Sequence, residues 1–432
     1  MIVKITRYSM NKIVLVIGGG LSLCLGGCGM RSGANGELVG VQGRKSFKTD
    51  IPYGMVYVPA GTFLMGQTDQ DITYSNAAPN RQVSVSAFYM DETEITNNEY
   101  RQFVYWVRDS IAAKVMGGDF VTQGEDGSEY INTENKVQWG GRNSNIDYEQ
   151  LGGLFYQGDD QVFGRRELDV RKLIYQFSWF DYRAAAIKTP ENRARPRSDF
   201  IMRDEVAIYP DTLVWLAEFS YAQNEPMVQQ YFTHPAYDDY PVVGVTWRQA
   251  RAFSYWRAEF NRQYKAKRGL PPRGQMYLPT EAQFEWAARG GRVGADYPWG
   301  GPYIRNSKGC LLANFKPGRG NYADDGGLYT VHVKSYFPND YGLYNMAGNV
   351  SEWTSSTYDE SSYMFVHDMN PTYYSNAGDD DPVSMKRKVV KGGSWKDIGF
   401  FLQTGVRTYE YQDTAKSYVG FRCISPVMGK AF

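Results

Sequence analysis

Leu278-Pro279-Thr280-Glu281-Ala282-Gln283-Phe284-Glu285-Trp286-Ala287-Ala288-Arg289-Gly290-Gly291 is the stretch from which the rest of the chain can be read. Thr280 followed three residues later by Gln283 is a capping box, in which each side chain satisfies a backbone N–H left over at a helix start. Phe284 and Ala287 are then placed to face a core. Thr246 with Gln249 repeats the chemistry and opens a helix carrying Ala250, Phe253, Trp256 and Phe260. The segments after Thr246 and Thr280 read as short, each packing on irregular structure rather than forming a bundle. Thr96 with Glu99 opens a third helix, along which Tyr100, Phe103, Val104, Val107 and Ile111 recur at helical spacing.

Upstream the pattern is β. Met55–Pro59 and Thr62–Gly66 flank Ala60-Gly61, which reads as a tight turn. Gln82–Tyr89 alternates, with Val83, Val85 and Ala87 on one face and Ser84, Ser86 and Phe88 on the other. With 34 Tyr, 10 Trp and 45 Gly, the chain is expected to be rich in turns and held by aromatic packing rather than by long helices. Residues 112–240 differ from their surroundings. They carry three Gly-Gly pairs and a basic, proline-broken segment, Thr189–Arg203, with Arg193, Arg195, Arg197 and Arg203. This segment is either a solvated loop or a partner-docking surface.

Residues 1–27 read as a secretion signal. Lys4, Arg7 and Lys12 form a basic start, and the apolar run Ile13–Leu25 is too short for a bilayer, which takes about 20 residues. Leu25-Gly26-Gly27-Cys28 resembles the bacterial lipobox, with Cys28 as the diacylated residue. The Gly-rich stretch that follows suits a tether over 28–50, with the folded domain over 51–432. Two or three acyl chains at about 0.8 kcal/mol per CH₂ would hold the chain on a membrane. Without 1–27 there remain 44 Lys+Arg against 47 Asp+Glu, a balance unlike that of nucleic-acid binders. Cys310 and Cys423 either pair in an oxidising compartment or stay as two unpaired thiols.

Several motifs in order resemble the sulfatase-modifying factor family, whose active members are formylglycine-generating enzymes. They are Phe63-Leu64-Met65-Gly66, Asp91–Asn97, Pro241–Trp247, Leu278–Gly291, Tyr297-Pro298-Trp299-Gly300, Gly342–Trp353, Lys391-Gly392-Gly393-Ser394-Trp395 and Gly420-Phe421-Arg422-Cys423. They frame roughly 55–106 and 241–425. The resemblance implies a compact α+β domain of C-type-lectin-like type, with little regular secondary structure and a long insertion at about 112–240. Active members oxidise a substrate cysteine with a copper-binding cysteine pair at spacing i, i+5, just after the Gly-Gly-Ser-Trp strand. Asp397 and Leu402 stand at those positions here, and leucine offers no donor to Cu(I), which needs soft thiolates. Iron-dependent relatives need a histidine cluster, whereas His234, His332 and His367 show no ligand-like spacing. No copper or iron is therefore expected, and the chain reads as a non-enzyme.

The family also implies two structural calcium sites built from hard oxygen donors. One would use the side chains of Asn345 and Glu352 with the carbonyls of Gly348 and Val350. The other would use Asn314 and Asp325, or Asp324 in its place, with the carbonyl of Phe315. The alternative is that these residues simply build turns.

Within the family, Gly36–Arg44, Phe88–Asn97 and an insertion containing Tyr209-Pro210-Asp211 and Trp215 resemble the GldK/PorK lipoproteins of the type IX secretion system. That resemblance implies a non-catalytic, lipid-anchored subunit of a periplasmic ring under the outer membrane. Its partners would be itself, a PorN/GldN-type protein and other secretion components including outer-membrane proteins, serving export and, in gliding species, motility. Other readings are a residual oxidase, a pseudoenzyme whose old groove binds a peptide or glycan, and a GldJ-like motility lipoprotein.

Overall fold

Helices begin at all three capping boxes. In the computed structural model, α1 runs Asn97–Met116, α2 Trp247–Lys267 and α3 Glu281–Arg289. Thr96, Thr246 and Thr280 each accept from the backbone N–H three residues on, while Glu99, Gln249 and Gln283 reach back to the cap. Such a cap contributes about 1 kcal/mol. Residues 50–67, 78–123, 129–132, 135–140, 142, 144–218, 225–271, 274–318 and 321–428 are described, so Cys28, the signal segment and all of the tether but Asp50 lie outside them.

The strands are β1 Met55–Val58, β2 Gly61–Met65, β3 Arg81–Val85, β4 Phe88–Asp91, β5 Val121–Gln123, β6 Glu129–Ile131, β7 Ile174–Phe180 and β8 Ile201–Ala207, followed by β9 Ser351–Thr357, β10 Arg387–Lys391, β11 Thr408–Tyr411, β12 Val419–Gly420 and β13 Ile424–Pro426. β4 is the centre of an antiparallel sheet ordered β1-β4-β13. Side chains alternate across a strand, and this sheet divides two cores. Tyr89 and Cys423 face the α1–α2 side, whereas Phe88, Met90 and Ile424 face α3 and the β2–β3 pair. On the first side Tyr100 stacks on Phe253 with centroids 5.5 Å apart, and Phe421 meets Phe253 edge-on at 5.4 Å. Each such ring stabilises the fold by roughly 1.5–3 kcal/mol on burial. A second sheet, ordered β11-β10-β9-β12, has β12 parallel to β9 and carries the Gly-Gly-Ser-Trp turn at the end of β10.

Four expectations change. The helix after Thr246 is 21 residues long and packs against α1, with Phe253 and Trp256 in a core shared with Tyr100 and Phe103. Phe260 is not part of that face: it is 51% exposed and stacks on the outer side of Trp256. Residues 82–89 are not one strand. The chain breaks after Val85, where Asn370 takes the N–H of Ser86, so β3 pairs with β2 and β4 joins the other sheet with Phe88 buried. Ala60-Gly61 likewise crosses between sheets rather than closing a hairpin.

The 112–240 segment supplies the antiparallel pairs β5–β6 and β7–β8. Leu173, Phe177, Val206, Ile208 and Phe232 sink into the α1–α2 core, so it is built into the domain. Within it, Thr189 caps a one-turn helix over Pro190–Ala194, and the arginines that follow are exposed.

Candidate functional site

A buried polar hub joins the motifs. Glu94, two residues before the α1 cap Thr96, accepts from Asn345 Nδ2 at 3.2 Å and Asn349 Nδ2 at 3.0 Å. Burial pushes its carboxyl up to about 8; Arg422 opposes that rise and Glu352 adds to it. Both asparagines adopt left-handed backbone, with φ of 49° and 65°, which turns this loop back on itself. Asn349 Oδ1 accepts from Val331 N–H and from Asn314 Nδ2, tying in the loop around residue 314.

Glu352 is held by Arg422, whose Nε and Nη2 donate to it at 2.6–3.0 Å. Beside it Asp91 accepts from Arg257 and from the backbone N–H of Cys423. The Cys423 thiol lies 3.4 Å from Ser254 Oγ, and burial pushes it up to about 12, so it is an inert core residue. Cys310 is exposed, and both cysteines are free. Of the two sequence alternatives, the disulfide is therefore the one the structure overturns: Cys423 is sealed in the core and Cys310 sits on a surface turn held by Asn306.

A further set of buried ion pairs hangs from α3. Glu285 pairs with Lys391 at 3.0 Å and with Arg289 at 2.8 Å, and it also accepts from Gly66 N–H. One turn earlier Glu281 meets Arg407, and Tyr363 donates to it. Sequence reasoning passed over Glu281, Glu285 and Arg289, as it did Glu94 and Arg422. Their signal was a run of charges at i, i+4 and i+8 on a helix whose core face is Phe284 and Ala287.

At the end of β10 lie the positions to which the family resemblance assigns the cysteine pair, Asp397 and Leu402. Gly393, at φ +67°, leaves room that a Cβ would fill: such an atom would meet the Phe401 carbonyl at 2.8 Å and Leu402 Cδ1 at 2.9 Å. The 399–402 turn therefore folds against the strand end, and Leu402 is wholly buried against Phe315 and Ala347. Asp397 accepts from the N–H and hydroxyl of Ser394 at 2.9 and 2.6 Å, and burial raises its carboxyl above the ordinary range. Asp397 borders a cavity of about 210 Å³ with Lys391, Phe401, Glu410 and Tyr418. The two side chains thus act as a turn staple and a core residue, and neither supplies a soft donor.

The calcium donor sets fare differently. Both oxygens of Glu352 already accept from Arg422, which neutralises the carboxylate, so the Asn345–Gly348–Val350–Glu352 set does not fit a divalent cation. In the Asn314–Phe315–Asp325 set one oxygen donor is left open. Asn314 Oδ1 is buried without a hydrogen-bond partner. Asp325, held by the N–H groups of Phe315 and Gly327, lies on the same loop pair. Asp324 points away, exposed and paired with Arg305.

A profile of the sulfatase-modifying factor enzyme 1-like domain matches residues 44–427. Mouse formylglycine-generating enzyme is 27% identical over 417 residues, covering 92% of this chain and 85% of that protein. Bovine inactive C-alpha-formylglycine-generating enzyme 2 is also 27% identical, over 378 residues covering 86% and 87%. The solved structure of PvdO from Pseudomonas aeruginosa aligns with a TM-score of 0.46 at 16% identity over 86% of this chain and 94% of that one. The α+β architecture is that of a C-type-lectin-like domain, and the chain belongs to the sulfatase-modifying factor enzyme 1-like family.

Proposed function

We propose that this chain is a non-catalytic member of its family, working as a lipid-anchored structural subunit of a periplasmic ring of the type IX secretion machinery. The observation that supports the first half is the pair Asp397 and Leu402. A hydrogen-bonded carboxylate and a sealed leucine stand where copper-dependent oxidation needs two thiolates. Its family includes inactive relatives of similar coverage. The second half rests on the sequence: the lipobox at Cys28, the Gly36–Arg44 stretch and the insertion that resemble the GldK/PorK lipoproteins. Its partners would be a PorN/GldN-type ring protein, further copies of itself and other secretion components, at the periplasmic face of the outer membrane.

A scaffold of this kind needs a rigid body with two different self-contacting patches. Rigidity comes from the buried ion pairs, and the β7–β8 pair with its exposed arginines is the surface the insertion adds. A calcium ion held by Asn314, the Phe315 carbonyl and Asp325 would cross-link loops that carry no helix or sheet. An assay with a sulfatase-type cysteine peptide and Cu(I) tests the non-catalytic half: no formylglycine is expected, and turnover would overturn it. Deletion of 189–203 tests the docking surface; unchanged partner pull-down and ring size would remove that segment from the interface.

A further inference from the structure

Trp247, Arg251 and Tyr255 follow at intervals of four along α2 and so share one helix face. β7 and the turn after it cross in front of that face. Between them opens a cleft of about 600 Å³, within the roughly 300–1,000 Å³ typical of small-molecule sites. It shares no lining residue with the cavity at Asp397. Its walls are ring faces, chiefly Trp179, Tyr182, Tyr277 and Tyr374, while Gln275, Asn376 and Ser355 place polar groups among them.

Arg251 forms the floor. It is 5% exposed, with its Cζ 3.9 Å from the Trp179 centroid and 5.3 Å from that of Trp247. Nη1 donates to Asn376 at 2.6 Å, whereas Nη2 is buried with no hydrogen-bond partner. Among the described residues no carboxylate forms an ion pair with it. Lys388 adjoins, its Nζ 4.3 Å from a Trp247 ring centroid. A desolvated guanidinium lacking a carboxylate is costly, and ring faces offset only part of that cost. The missing partner is an anion, and the guanidinium fork matches a carboxylate.

We propose that this cleft binds a carboxylate-bearing saccharide, its ring faces stacked on the tyrosines and tryptophans and its carboxylate paired with Arg251. The polar groups between the rings suit hydroxyls, which an apolar ligand would leave unpaired. A polyphosphate would want several solvent-facing cations, whereas Arg183 is the other cation lining the cleft and Asp181 stands beside it. The proposal does not depend on ring assembly.

The test is titration of the full-length, detergent-solubilised chain with cellobiouronic acid and with cellobiose, read by tryptophan fluorescence. The acid is expected to bind at least about tenfold more tightly than its neutral counterpart, as one charge-assisted contact provides. Arg251→Gln should erase that preference. Tyr182→Ala, at a position 70% exposed, should weaken binding of the acid several-fold with an unchanged melting midpoint. Absence of saturable binding by the acid, equal affinity for both sugars, or wild-type affinity in Tyr182→Ala would each overturn the proposal. Should Arg251→Gln fail to fold, the last of these decides.

Discussion

Arg422 donates to the Glu352 carboxylate through Nε at 2.8 Å and Nη2 at 2.6 Å, and neither side chain touches solvent. Its remaining N–H groups donate to the carbonyls of Asp91 and Tyr344. One guanidinium thereby links β9, the residues just before β13, the end of β4 and the loop that leads to Asn345. Removing one member of such a pair leaves an uncompensated buried charge and typically costs about 3–5 kcal/mol. Glu352→Ala is expected to lose stability on that scale in urea titration, against less than about 0.5 kcal/mol for the exposed Asp324→Ala control.

Lys388 makes stability depend on pH. Burial, followed by the nearby Arg251, pulls its amine down to about 7 from the ordinary 10.5. The unfolded chain binds the proton more tightly, so folding stability contributed by this group is present above pH 10.5 and is lost as pH falls toward 7. The wild-type chain should therefore gain stability between pH 7 and about 10, and Lys388→Met should flatten that slope while matching or exceeding wild-type stability at pH 7. Denaturant midpoints across that range check it, and parallel curves for the two proteins would refute the assignment.

Calcium should act through Asn314 and Asp325. A ligand that binds only the native state raises stability by RT ln(1 + [L]/Kd). The melting midpoint is expected to rise with millimolar calcium and fall back with chelator. Asp325→Ala should abolish the shift, whereas Glu352→Gln should retain it. An unchanged midpoint in wild-type protein would exclude the site.

Restoring the thiols should not restore the oxidase by itself. In the double variant Asp397→Cys, Leu402→Cys, the second sulfur takes the place of a side chain packed with zero exposure beside Phe315. The variant is expected to melt below wild type, because Leu402 fills a core position and Asp397 staples Ser394, and to stay inactive on a sulfatase-type cysteine peptide. Formylglycine formation by it would mean that the groove has been preserved for catalysis.

Much of this fold was legible because its signals are local. Capping boxes declare helices from four residues, and all three starts lie where Thr96, Thr246 and Thr280 placed them. That Asp397 and Leu402 carry no thiolate is a property of residue type and needs no fold to be read. What stayed hidden was long-range. The break between Val85 and Phe88 is made by Asn370, almost three hundred residues away. The ion pairs of Glu281 and Glu285 were hidden for the same reason, because only the fold brings Arg407 and Lys391 to them. Whether Glu352 points at a cation or at Arg422 is likewise decided by a residue 70 positions downstream.

The proposed scaffold role is tested by mild detergent extraction of membranes, pull-down on this protein and negative-stain microscopy. Large rings containing a second periplasmic protein are predicted. A lone monomer without a stable partner would contradict that role and leave the family's ligand-binding, inactive-enzyme reading in its place.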